Sequence, residues 1–129
     1  MNINTHLKID NSLCGRCLGL SEGRAAVELT LSENMAADER GLVHGGFIFG
    51  LADYAAMLAV NDPNVVLGAA EVKFLKPCVC GESIVAEAEV QEESGRRRSV
   101  KVSCRRGEDE VFAGIFTCFV LKNHVLEGK

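Results

Sequence analysis

Aromatic residues and a strong net charge are what this sequence lacks. It contains no tryptophan and one tyrosine, so the stacking surfaces that single-stranded nucleic-acid binders use are scarce. Its formal net charge of −4 gives no general attraction to nucleic acid or to an anionic membrane, and we expect neither among its partners. Repeats, low-complexity tracts and linkers are absent too, so the 129 residues predict one domain.

Neither a targeting segment nor a membrane-spanning segment is expected from the sequence. The first residues do not show the basic-then-apolar layout of a secretory signal. The apolar stretch 42–60 has nearly the length of a membrane span, but it carries His44 and Asp53 and has no basic flanks. It is more typical of a helix wrapped by protein. We therefore expect a cytoplasmic protein whose six cysteines stay reduced.

Four of those cysteines form two close pairs, Cys14 with Cys17 and Cys78 with Cys80. Together they would suit a zinc site, but the second pair has a single intervening residue and no histidine lies near either pair. We expect no bound metal ion. The other two cysteines, at positions 104 and 118, lie in strand-like runs and are expected to be small core residues.

Hydrophobic periodicity indicates one long helix and several strands. Residues 46–60 are apolar on nearly every side, which predicts a helix buried on most faces. Alternation of apolar and polar residues predicts strands over 24–31, 66–76, 83–92, 98–105 and 111–121. The first dozen residues predict a short helix or an extended arm. A strand, a long helix and then four strands favour an α+β fold, with an antiparallel sheet curling around the helix.

One carboxylate and a glycine pair on the predicted helix indicate a site. Gly45 and Gly46 stand at its start, where unpaired N–H groups and a partial positive charge suit an oxygen that becomes negative. Asp53 follows eight residues after Gly45, about 12 Å along a helix axis. One substrate carbonyl cannot touch both in a single chain, so cooperation between them requires a symmetric dimer. The alternative is that the glycines only form a turn and Asp53 only binds nearby backbone.

The stretch His44-Gly45-Gly46, with Asp53 nine residues after the histidine, resembles the signature of the hotdog-fold acyl-CoA thioesterases. The phenylacetate-pathway and 4-hydroxybenzoyl-CoA thioesterases are the most similar group. Residues 72–77, followed by Gly81 and Glu82, resemble the third strand of that family and its following turn. The resemblance covers residues 23–121, which we expect to be the core of a single hotdog domain spanning 1–129.

The resemblance implies a five- to six-stranded antiparallel sheet around one central helix. It also implies homodimers joined edge to edge, or homotetramers made of two such dimers. In this family the Gly45 amide would bind the thioester carbonyl of an acyl-CoA and Gly46 would support the turn. Asp53 of the other chain would act as general base on water, or as nucleophile through an anhydride, and His44 would orient the loop or the thioester. CoA is part of the substrate, and no separate cofactor is implied.

Two departures from the family pattern keep other functions open. Asp38 stands where some members have asparagine, and residues 67–70 offer no hydroxyl where some members have serine or threonine. Without that hydroxyl, a non-catalytic module that binds acyl-CoA is the main alternative. A dehydratase of β-hydroxyacyl thioesters is a weaker one, because its catalytic histidine lies within the helix whereas His44 precedes it.

Basic and apolar residues give candidates for substrate binding. CoA phosphates need basic groups at the surface, and the sequence offers a turn with three arginines and a pair of lysines on what we expect to be the neighbouring strand: Arg96, Arg97, Arg98, Lys73 and Lys76. A solvated turn would look the same. Phe47, Tyr54 and Met57 are expected to line the acyl pocket, although helix packing alone would also require apolar residues there.

Overall fold

The computed structural model describes residues 1–128. Two short 3₁₀ turns, Glu33–Met35 and Val125–Gly128, accompany two helices and six strands. The helices are α1 (Asn11–Cys14) and α2 (Gly45–Val60). The strands are β1 (Arg16–Ser21), β2 (Arg24–Thr30), β3 (Val65–Phe74), β4 (Ser83–Ser94), β5 (Arg97–Arg106) and β6 (Asp109–Val120).

The six strands form one antiparallel sheet in the order β1-β2-β4-β5-β6-β3. It curls around α2, which packs chiefly against β2, β4 and β5. The predicted α+β architecture, the hotdog arrangement, is therefore confirmed. Strand order leaves β1 and β3 at the two edges of the described sheet.

One strand, β1, was not predicted. It is an edge strand whose register against β2 shifts between Cys17 and Gly19, and a bulge of this kind interrupts the two-residue period. Only Cys17 and Leu20 are half-buried along it, and the rest of the strand is exposed. With one face barely buried, the sequence of β1 carries no alternation to recognise.

Helix α2 is buried on most sides, as its uniformly apolar sequence predicts. Nine of its sixteen residues are buried, and no helix within residues 1–128 is long and apolar enough to cross a membrane. The helix ends at Asn61, which adopts a left-handed conformation with φ 55° and donates its N–H to the Met57 carbonyl at 2.8 Å. The Asn61 side chain accepts from the Asn4 amide and donates to the Asn2 carbonyl, each at 2.8 Å. The N-terminal arm is thereby tied to the end of α2.

Cysteine burial agrees with the expectation for the strands. Cys104 and Cys118 are fully buried in the core, and burial raises the pKa of each thiol to about 12. All six cysteines are free thiols. Within the described 128 residues, no group of three potential metal-ligating side chains comes together.

Candidate active site

The glycine pair occupies the first turn of α2, where backbone amides have no acceptor within the helix. His44 precedes it in an extended conformation, with φ −61° and ψ 126°, and its own N–H donates to the Met35 carbonyl at 3.0 Å. No acceptor for the amides of Gly45 and Gly46 occurs elsewhere in the described chain. Gly45 is half-buried and Gly46 exposed. The helix therefore offers two backbone donors to a ligand at its positive end.

Aromatic rings explain why both positions are glycine. A Cβ on Gly45 would lie 3.1 Å from Cε2 of Phe74, and a Cβ on Gly46 would lie 2.9 Å from Nε2 of His44. The His44 ring in turn meets Phe47 edge to face, with 6.0 Å between ring centroids. Glycine at 45 and 46 thus lets two rings close over the start of the helix.

Asp53 lies two turns further along α2, on the face that meets β6. One turn before it, Phe49 packs against Phe116 with ring centroids 5.4 Å apart. Asp53 also lies close enough to Cys14 and Cys118 to add to the raised pKa of each thiol, which is due first to burial.

The Asp53 carboxylate is unusual in its surroundings. Its Oδ1 atom is buried and has no hydrogen-bond partner within the part of the chain that the structure describes. Burial raises the pKa of Asp53 from 3.8 to about 6, because an apolar environment disfavours the charged form. If Asp53 served only to bind nearby backbone, this oxygen should accept a hydrogen bond from a backbone amide, and it accepts none from the described residues. A perturbed, unpartnered carboxylate is typical of a functional position.

Two of the three helix residues expected to line an acyl pocket are closed off in this chain. Tyr54 and Met57 have only 3% and 1% of their surface exposed and belong to the core, so neither is available to a ligand in this chain. Phe47 remains beside the glycine pair. A cleft opens beside Gly45, with Phe74 and Cys78 in its lining. The sequence signal for Phe74 was its position at the end of the strand that precedes Pro77.

The five basic candidates are not brought together within one chain, and the expectation that they share neighbouring strands was wrong. Strand β6 lies between β3 and β5. Lys73 pairs with Ala113, which pairs with Ser103, and Ser103 stands six residues from Arg97, about 20 Å along a strand. Strand order depends on the whole fold, which local periodicity does not report.

Two of these basic side chains already have partners. The Lys76 ammonium lies 3.0 Å from Asp109. Arg98 donates to the Gly95 carbonyl at 2.8 Å and lies 3.4 Å from Glu93. The other three, Lys73, Arg96 and Arg97, are exposed.

The two departures from the family pattern have clear places in the structure. Asp38 Oδ1 accepts the amides of Arg40 at 3.0 Å and Leu42 at 3.1 Å, so this residue shapes the loop that leads into His44. Residues 67–70, which offer no hydroxyl, lie on the edge strand β3.

Comparison with known proteins finds a family model that covers the candidate site. The family model described as the thioesterase superfamily matches residues 40–113. The acyl-coenzyme A thioesterase PaaI of Escherichia coli is 33% identical over 95 residues, which are 68% of this chain and 67% of that protein. A crystal structure of the uncharacterised protein PH1136 from Pyrococcus horikoshii superposes with a TM-score of 0.97 at 50% identity, covering 98% of this chain and 97% of that one.

A further relative has a different name. A protein of Aquifex aeolicus named methylthioribose-1-phosphate isomerase is 53% identical over 122 residues, which are 94% of this chain. This chain spans only 27% of the length of that protein.

Proposed function

Since the chain belongs to the thioesterase superfamily, we propose that it hydrolyses an acyl-CoA thioester to the free acid and CoA. The observation that carries the proposal is the buried, unpartnered Oδ1 of Asp53, on the same helix as the free amides of Gly45 and Gly46. The isomerase activity of the Aquifex protein is not carried over, because this chain matches only 27% of that protein.

The proposed site is formed by two chains. Gly45 contacts Phe74 at the end of β3, whereas Asp53 lies near Cys118, which pairs with Leu67 close to the start of β3. The outer edge of β3 has no pairing strand among residues 1–128, and an unprotected edge of ten residues invites a second strand. Antiparallel pairing of two copies brings the end of one β3 to the start of the other. That supports one site made by Gly45 of one protomer and Asp53 of its partner.

In the proposed mechanism, the thioester carbonyl oxygen accepts a hydrogen bond from the Gly45 amide. Asp53 of the partner subunit removes a proton from a water molecule, and the resulting hydroxide attacks the carbonyl carbon. The tetrahedral oxyanion is stabilised by the same amide at the positive end of α2. Its collapse breaks the carbon–sulfur bond, and the protonated carboxyl returns the proton to the departing CoA thiolate. His44 fixes the first turn by lying over Gly46.

The environment of Asp53 suits a general base. A carboxylate with a pKa of about 6 is ionised at neutral pH and still basic enough to accept a proton from water. In the nucleophilic alternative, the Asp53 carboxylate attacks the thioester carbon, the carbon–sulfur bond breaks as the CoA thiolate leaves, and an anhydride between Asp53 and the acyl group remains. Label found in the protein after a single turnover in H₂¹⁸O establishes the anhydride route, because only attack of water on the Asp53 carbonyl of an anhydride places label there.

For the nucleotide end of CoA we propose Lys73 together with the exposed Arg96 and Arg97 of the partner. Phe119 pairs with both Val66 and Arg97, so the arginine turn lies level with the start of β3. Edge-to-edge pairing therefore carries this turn of the partner to the Gly45 end of the first protomer. Lys76 and Arg98 are less suited, because each is held by a carboxylate of its own chain.

The shared site is tested by complementation between two inactive variants. Gly45→Pro removes the amide hydrogen, and Asp53→Asn removes the base. A heterodimer of the two has one site with both defects and one intact site if the residues act in trans. Thiol release from acyl-CoA should therefore reappear when the two variants are co-expressed and purified together. Absence of any recovery in a proven heterodimer contradicts the shared site.

The second candidate function, a non-catalytic acyl-CoA binder, is supported by the lack of a hydroxyl at residues 67–70. It predicts thermal stabilisation by acyl-CoA without release of thiol across a broad acyl panel. Hydrolysis that is lost in Asp53→Asn excludes it.

A further inference from the structure

A cleft of about 300 Å³ opens beside Gly45. One wall is the start of α2, with Gly45 and Ile48, and the opposite wall is the chain that leaves β3 at Phe74. Val111 of β6 and Cys78 lie deeper, and both are buried. If the Gly45 amide binds a carbonyl oxygen, the substituent on the carbonyl carbon can reach into this cleft.

The lining of this cleft is apolar. Val43, Ile48, Phe74, Pro77, Cys78 and Val111 contribute to it, and no carboxylate does. The one charged residue at the wall, Lys76, has its ammonium bound to Asp109 at 3.0 Å. Burial raises the pKa of the Cys78 thiol, which keeps it neutral. The cleft therefore suits an uncharged group without polar substituents.

Phe74 is the aromatic residue that lines this cleft. Its ring packs edge to face on Phe112 with 5.1 Å between centroids, yet 57% of its surface is exposed. In the single chain, the ring leaves a face open at the rim of the apolar cleft, against which a ligand can pack. In this position the size of residue 74 sets how bulky an acyl group can enter.

The wall opposite the helix is held in place before any ligand arrives. Arg106 donates to the Pro77 carbonyl at 2.9 Å and to Glu82 at 3.2 Å. Glu82 also accepts the Val79 amide at 2.8 Å, and the Val43 amide donates to the Cys78 carbonyl at 2.8 Å. A preorganised wall can discriminate between acyl groups by size.

Building on the proposed hydrolase function, we propose that this cleft is the acyl subsite and that Phe74 is its specificity-determining residue. Since an apolar cavity of about 150 Å³ holds benzene, a cleft of about 300 Å³ corresponds to roughly twelve non-hydrogen atoms. The structure thus assigns the site to uncharged acyl groups of medium size, either medium-chain aliphatic or aromatic. Long fatty acyl chains exceed the cleft.

The experiment measures kcat/KM over CoA esters of acetyl, hexanoyl, octanoyl, phenylacetyl, dodecanoyl and palmitoyl groups. The native protein should be most active on the hexanoyl, octanoyl or phenylacetyl ester and at least about tenfold weaker on palmitoyl-CoA. Phe74→Ala should raise the ratio of dodecanoyl to hexanoyl activity about tenfold. Phe74→Trp should lower it, and Phe74→Leu offers a smaller change if the alanine variant does not fold.

Ile115→Ala provides the matched control, since Ile115 is an exposed apolar residue on β6 that does not line this cleft. Its acyl profile should equal that of the native protein. The aromatic and aliphatic members of the panel decide between the two kinds of acyl group. An unchanged chain-length profile in folded Phe74 variants overturns the assignment.

Failure of the proposed hydrolysis is distinguished by a second measurement. Titration calorimetry measures the affinity for S-alkyl-CoA thioethers of the same chain lengths, and this affinity does not depend on turnover. If the native protein releases no thiol but its affinity peaks at medium chain length and shifts in Phe74→Ala, the subsite stands and the hydrolase proposal falls. Affinity that is independent of chain length overturns the subsite.

Discussion

The ring of Phe74 lies against Gly45 so closely that a Cβ on Gly45 would come within 3.1 Å of ring carbon Cε2. This contact joins the end of β3 to the start of α2, although 29 positions of sequence separate the two residues. It places the free amide of Gly45 at the mouth of the cleft that Phe74 borders. Several expected results depend on this arrangement.

Replacing Gly45 with proline should remove most of the thioesterase activity while preserving the fold. Proline is accepted at the first position of a helix because the N–H there has no helical acceptor, and the extended His44 suits a following proline. Loss of one oxyanion donor costs about 10²- to 10³-fold in kcat. Gly45→Ala is the matched control, since it adds the same Cβ beside Phe74 but keeps the amide hydrogen. Equal losses in the two variants would assign the effect to crowding instead.

Asp53→Asn should abolish hydrolysis and make the protein more stable at neutral pH. The pKa of Asp53 in the folded protein is raised to about 6, so folding favours the protonated form. The stabilising contribution of that form is present below about pH 4 and is lost as the pH rises through 6. Each unit of the pKa shift corresponds to about 1.4 kcal/mol. The free energy of unfolding of the variant should therefore be higher by up to about 3 kcal/mol above pH 7.

Denaturant unfolding at pH 4 and pH 8 checks this result. The gain from Asp53→Asn should appear at pH 8 and shrink toward zero at pH 4. Glu92→Gln, a change of an exposed carboxylate, should show no such dependence. A variant that is equally or less stable than the native protein at pH 8 contradicts the burial of an unpartnered charge.

The rate of hydrolysis should follow the ionisation of the same carboxylate. Because Asp53 must be ionised to accept a proton, kcat/KM should rise with pH and level off above about 6, where the pKa of Asp53 lies. The measurement is the pH profile of kcat/KM. Ile115→Ala, which keeps Asp53, should give the same profile when it is measured in parallel. A plateau extending unchanged to pH 4 argues against Asp53 as the base.

Changing Arg96 and Arg97 together to glutamine should raise KM for acyl-CoA with little effect on kcat. Both side chains are exposed at the turn between β4 and β5, and contacts with CoA phosphates are made equally in the ground and transition states. The effect should weaken at high ionic strength, since exposed charges are screened by salt. Arg24→Gln is the control, because Arg24 is paired with Glu89 away from the site. An unchanged KM would mean that residues other than Arg96 and Arg97 bind the nucleotide end of CoA.

Much of the architecture could be predicted because it depends on local patterns. The uniformly apolar run of α2 and the alternation along β2, β4 and β5 report which side chains are buried, and the structure buries them. The bulge in β1 hid its period. Tyr54 and Met57 were assigned to a pocket because an apolar helix residue looks the same whether it faces a ligand or the core. The structure buries 97% or more of the surface of both side chains, which places them in the core.

By itself, the sequence determined the glycine pair at the start of a helix, a lone carboxylate on that helix and the axial distance of about 12 Å between them. These are properties of one continuous segment with known geometry. Only the tertiary structure decided that β6 separates Lys73 from Arg97 and that Phe74 closes on Gly45. The same holds for two absences among residues 1–128, a hydrogen-bond partner for Asp53 Oδ1 and a strand beyond the outer edge of β3. The reason is physical: periodicity tells which face of an element is buried, whereas the choice of neighbouring strands depends on long-range packing of the whole chain.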